Sequence, residues 1–174
     1  DRFNRPTRWN WERVGGASGG FYNTAIAYDE NSNPVSTTDD AHARNNSSDH
    51  PFDVVYGLDS LNRVIAADEG NIASGVIESG TRTRKELWNS LSLTGNWGNR
   101  QLDANGDGDF GDEADRDEPS AYNTFNKANE WTARRVAKAS GTDRDEHAYT
   151  YDAVGNLTDL AATVYRGGNT ALTH

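Results

Sequence analysis

The residues best suited to chemistry stand together at positions 103 to 118, DANGDGDFGDEADRDE. Eight acidic side chains face the single Arg116 there, a net of -7 in a chain whose formal charge is -10. Asp103, Asn105, Asp107, Gly108 and Asp109 take positions 1, 3, 5, 6 and 7 of an EF-hand-like loop, the spacing by which oxygens converge on one Ca²⁺ while glycine allows the sharp turn. Position 12 of that motif, which calls for a bidentate Glu, is Ala114, so the full EF-hand is not present. Asp112, Glu113 or Asp115 offers the closing oxygen of a different cage. The segment holds no His or Cys, which disfavours zinc and copper. The other reading is a solvated, charge-rich insertion between two hairpins, its repulsion relieved by water and salt.

Other chemistry is sparse. His42, His50, His147 and His174 lie in polar surroundings, and no nucleophile elbow, zincin helix or phosphate-cradling glycine loop occurs. Asp and Glu are so frequent that any two could be nominated as an acid and base pair, which identifies none, so no enzyme is expected. The basic cluster Arg82, Arg84 and Lys85 is too small for phosphate binding in so acidic a chain. Its alternation fits an exposed strand face, or a partner for the acidic loop of a neighbour. Trp9 and Trp11 share one face of a strand by period two, placed either to pack under the first hairpin or to stack on sugar rings. Asn45, Asn46 and Asn156 match the N-glycosylation pattern, relevant only in a host that glycosylates asparagine. No apolar run is long enough to span a membrane.

The elements that must carry these groups follow from a repeat. In YTYDAVGNLTDL, Tyr151 precedes Asp152, Gly155 and Asn156 lie three and four places on, and Leu157 resumes an alternating pattern. That is a strand, a tight turn and a second strand. The same frame recurs around Asp29 (with Ser32 and Asn33), Asp59 (with Asn62), Ser92 (with Gly95 and Asn96) and Asn126 (with Asn129). Successive references are 30, 33, 34 and 26 residues apart. The third residue past each reference suits positive φ. The reference side chain accepts backbone N–H groups across the turn. Aromatic residues flanking the turn meet across the strands, at roughly 0.2–1 kcal/mol per pair. Pro34 removes a ladder donor, so the first hairpin is expected at an edge or to leave its sheet soon after the turn.

The frame resembles the YD repeat of Rhs proteins, the family that includes teneurin-type β-shells. YDAVGNLT is close to the family consensus, and LNRVIAADEG, LTGNWGNRQLDANGDGDFGDEADRDE and FNKANEWTARR resemble bacterial Rhs proteins in order and wording. The resemblance covers approximately residues 20 to 165. It implies a secreted or cell-surface protein whose hairpins coil into a continuous spiral sheet, in the family often a hollow shell around a toxin. The family's aspartate-proline self-cleavage segment and DPxG signature do not occur in these residues, so self-processing and toxicity are not carried over.

Composition agrees with a thin-cored β protein. Hydrophobic residues make up 34% of 174, five Trp, seven Tyr and five Phe are spread along the chain, and Gly numbers 17. Mean hydropathy is -0.89. The aromatics and turn residues argue for half-buried strands over disorder or a helical bundle. Cys is absent, so no disulfide forms. The chain opens at Asp1 and has no Met, which reads as a processed piece or excerpt of a longer polypeptide.

The expected organisation is a lead-in at 1–20 ending in GGASGG, a hairpin region at 21–165 with the acidic insertion at 103–118, and a tail at 166–174. Residues 36–51 read as a polar loop, and KELWNSL at 85–91 fits strand or helix spacing. The expected fold is all-β, about five antiparallel YD-type hairpins forming a twisted or spiral sheet. Two functions follow: a structural segment of a shell or fibre, joined to further YD repeats or identical copies by strand edges or head to tail, or a calcium-dependent, adhesin-like module that binds glycan or a partner cell. No nucleic acid partner is expected.

Overall fold

The structure, a computed structural model, describes residues 1–12, 20–40, 52–112, 114–119, 122–138 and 141–173. Nearly every ordered element along these residues is a strand; among them Asp40 alone is helical. The all-β hairpin fold expected from the repeat is therefore the one that forms. His42, His50, His174, Asn45, Asn46 and most of GGASGG lie outside the described residues.

The chain divides into two compact units, 1–85 and 86–174. In the first, β1 (Arg8–Glu12), β2 (Gly20–Tyr28), β3 (Pro34–Asp39), β4 (Val54–Leu58) and β5 (Val64–Glu69) run antiparallel in chain order. A small ribbon, β6 (Ile72–Ala73) with β7 (Val76–Ile77), follows. Two expectations are corrected here. The hairpin of Pro34 is not at an edge: β3 pairs with both β2 and β4. Pro34 is tolerated because it is the first residue of its strand, and β4 begins pairing only opposite Ser36. Residues 36–39 belong to β3 and not to a loop.

The division between units falls within β8 (Arg84–Asn89), where KELWN of the ambiguous KELWNSL forms strand and not helix. The second unit continues through β9 (Asn99–Asp103), β10 (Arg116–Glu118), β11 (Thr124–Phe125), β12 (Trp131–Lys138), β13 (Arg144–Tyr151), β14 (Leu157–Arg166) and β15 (Asn169–Thr173). The acidic segment is the connection between β9 and β10, closed by the pair Leu102 and Arg116. β10 and β11 both pair with β12, at different points along it. β1 forms within the segment read as a lead-in, and β15 within the one read as a tail, paired to β14.

No apolar side chain among the described residues is fully buried. The buried side chains are polar: Asn23, Asp53, Glu86, Asp103, Asp115, Glu118 and Asn123. Each accepts or donates hydrogen bonds that join strands or close loops, as a buried polar group must. Asp53, for example, takes the Asp39 N–H at 2.7 Å, across the β3–β4 connection.

Candidate functional site

All five repeat references build the same turn. The N–H of Asp29, Asp59, Ser92, Asn126 and Asp152 donates to the carbonyl four residues on at 2.8–3.0 Å. The N–H three residues on donates back to the reference carbonyl at 3.0–3.2 Å. That third residue is always left-handed: Ser32 (φ 72), Asn62 (φ 60), Gly95 (φ 89), Asn129 (φ 70) and Gly155 (φ 90). This is a three-residue hairpin loop ending in an αL residue, which adds a bulge. The register shifts just before Tyr28, Leu58, Phe125 and Tyr151 accordingly.

The reference side chain locks each turn. Asp152 Oδ1 accepts the N–H groups of Val154 and Asn156 at 2.9 Å, and its Oδ2 accepts Asn156 Nδ2. Asp29 does the same with Asn33, and Asp59 with Leu61 and Arg63. Ser92 Oγ takes Asn96 N–H, and Asn126 Oδ1 takes Ala128 and Glu130. The leading donors, the Asn33 side chain, the Arg63 backbone and the Asn156 side chain respectively, hold the Asp29, Asp59 and Asp152 carboxyls below the ordinary aspartate range. Asn156, a glycosylation match, thus spends its amide on its own turn.

In the second unit the turns also touch one another. Thr94 and Asn96 of the third turn both donate to Asn129 Oδ1 of the fourth, the former at 3.0 Å. Glu130 of the fourth lies against Gly155 of the fifth, where a β-carbon would fall 2.8 Å from Glu130 Oε1. Aromatic rings follow the same line. Phe125 and Trp131 meet across the fourth hairpin at 4.1 Å, and Trp97 meets Trp131 edge-on at 5.6 Å.

The acidic loop is folded by its own backbone. Asp103 and Asp115 are wholly buried. Asp103 accepts Gly106 and Gly108 N–H groups at 2.6 and 2.9 Å, and Asp115 accepts Ala104 and Asp112. Asn105 bridges to Asp107 and Asp112, while Asp107, Asp109 and Asp112 cap N–H groups two residues on. Among the described residues no three acidic or histidine side chains converge as a metal-binding group. The candidate ligands are thus brought into one loop, with carboxylates turned to N–H donors. Asp103 and Asp115 retain lone pairs beyond those bonds, so their type still fits a hard cation.

Trp9 and Trp11 are both on β1 and half exposed, at 50% and 59%. Arg82, Arg84 and Lys85 find acidic partners inside the first unit, Asp68 and Glu69 of β5.

A polar lock went unforeseen. Glu118, 1% exposed, holds Arg100 at 2.8 Å and Arg134 through two bonds of 2.8 Å, and Arg100 also reaches Glu86. Asn123 Nδ2, just before β11, bonds the Glu118 carbonyl at the end of β10 and the Gly98 carbonyl. Burial pushes the Glu118 carboxyl up, but Arg134 and Arg100 together outweigh it and hold it below the usual glutamate range. Its partners stand 18 and 16 residues away, so no local spacing marks them. No protein-family model matches the chain, and no curated protein matches it.

Proposed function

We propose that this chain is a non-enzymatic structural segment of an Rhs/YD-repeat type of protein, secreted or displayed at a cell surface, whose hairpins build a β-shell or a self-assembling fibre. One observation carries the reading: five turns of one geometry recur in a chain whose described residues bury no apolar side chain fully. Such units gain their stability by stacking on neighbours. The neighbours are further repeats of the same protein or identical copies, meeting by strand edge or head to tail. β15 is exposed at every position and pairs on one side with β14. An edge of that kind recruits another strand unless it is blunted. Sedimentation and electron microscopy of the isolated chain test this. Concentration-dependent assembly, weakened by Leu172→Lys on β15, is expected. A monodisperse monomer at high concentration overturns assembly by free copies.

A second reading is a calcium-dependent, adhesin-like module with Trp9 and Trp11 as sugar-stacking rings. It is favoured by Asp103 and Asp115, two fully buried carboxylates met by N–H groups and by no salt bridge among the described residues. Buried carboxylates are otherwise paired with a cation or bound to a metal. Ca²⁺ held by Asp103, Asn105, Asp107, Asp109, Asp112 and Asp115 would stabilise the folded chain by about 2.7 kcal/mol at a hundredfold excess over Kd. An unchanged melting temperature in millimolar Ca²⁺, alike in Asp107→Ala, removes this reading.

A further inference from the structure

The third and fourth turns border an open groove of about 410 Å³, within the roughly 300–1,000 Å³ of small-ligand sites. Among its walls are Ser90, Asn96, Trp97, Phe125, Lys127 and Asn129, and no carboxylate lines it, although the chain's net charge is -10. Local sequence explains the groove. Turns locked by Ser92 and Asn126 stand side by side, joined through Asn129 Oδ1, and Trp131 packs against the rings of both Trp97 and Phe125.

The hydrogen-bonding capacity left at the walls is specific. Asn129 uses its carbonyl on Thr94 and Asn96, and its own amide N–H groups have no partner among the described residues. Asn96 gives its amide nitrogen to Asn129 and keeps its side-chain carbonyl for an incoming donor. Lys127 makes no ion pair among the described residues. Donors, an acceptor, the Ser90 hydroxyl and one cation thus share the groove with two aromatic residues, Trp97 and Phe125. A purely apolar ligand would strand those amides at a desolvation cost. A phosphorylated ligand would call for the several cations or guanidinium forks that such groups favour. A pyranose presents hydroxyls that donate and accept around its rim and apolar C–H faces to the rings.

We propose that this groove binds a saccharide, and that Lys127 favours one bearing a carboxylate. The site is independent of calcium and of Trp9 and Trp11. The full chain is titrated with glucuronate, galacturonate, glucose and galactose while the indole N–H resonances are followed. The Trp97 indole nitrogen is buried without an acceptor and so reports on any displacement of the wall. Its signal is assigned from Trp97→Phe, which keeps a ring in place. The expected result is a saturable shift of the Trp97 signal with those of Trp9 and Trp11 unmoved, uronates binding about threefold tighter than their neutral parents, as one exposed charge pair allows. Lys127→Gln should erase that preference. Asn129→Gly, which keeps the left-handed backbone, should weaken all four sugars. No saturable shift at tens of millimolar in a folded chain, or shifts equal in wild type and both variants, overturns the proposal.

Discussion

At Gly155 two constraints meet: φ is 90, and a β-carbon would lie 2.8 Å from Glu130 Oε1. Gly155→Ala should therefore destabilise the chain by about 1–2 kcal/mol, the cost of a left-handed Cβ, with some relief because the Glu130 side chain can move. Gly95→Ala meets nothing within 4 Å and isolates the backbone cost alone. Melting curves of the two variants separate the terms, and equal losses would mean that contact between the turns contributes nothing. The reference carboxylates give a pH signature. Asp29, Asp59 and Asp152 have folded pKa values depressed below the ordinary 3.8. Their contribution is full above the unfolded value and is lost as pH falls through the folded ones. Stability should thus decline below about pH 4. Asp152→Asn, which keeps an acceptor and removes the charge, should flatten that acid limb. The Ser92 and Asn126 turns show how a neutral reference serves. Denaturation midpoints between pH 2 and 6 check it, and parallel acid limbs in wild type and Asp152→Asn would remove the turn from the linkage.

At the scale of the element, the fourth hairpin is the most heavily engineered by its neighbours. β10 and β11 both pair with β12, and side chains join the strands around them: Asn123 bonds two carbonyls, and Glu118 ties β9 to β12 through Arg100 and Arg134. Glu118→Gln should cost about 3 kcal/mol, the lower end for breaking a buried pair, because both arginines retain some access to water. A loss within the range of an ordinary surface substitution would show that β9 and β12 are held by the backbone ladders alone. The turns were legible in sequence because their determinants are local, an Asp, Asn or Ser reference with a Gly, Asn or Ser three places on. The strand identity of KELWN, the place of Pro34 and the Glu118 lock were not, because each is decided by which strands lie alongside. For the acidic loop, residue spacing marked out the segment. It did not reveal that backbone N–H groups would take up the carboxylates of Asp103 and Asp115.

For the whole molecule, the polar character of the buried set predicts an unusual calorimetric signature. The heat capacity of unfolding rises with apolar surface exposed and falls with polar surface, and ordinary proteins give about 12–15 cal/mol/K per residue. Here no apolar side chain among the described residues is fully buried, while Trp9, Trp11, Leu93 and Val154 remain half exposed or more in the folded state. Unfolding of dilute chain has comparatively little apolar surface left to release, so its heat capacity change should fall below that range. If copies stack as proposed, burial of these side chains between molecules adds to the folded reference state. Both the heat capacity change and the melting temperature should then rise with concentration, as mass action requires when folding and association are linked. Scanning calorimetry over a hundredfold range of concentration provides the check. An ordinary value at the lowest concentration, unchanged at the highest, would mean that the isolated chain completes its own apolar burial and has no need of a neighbour.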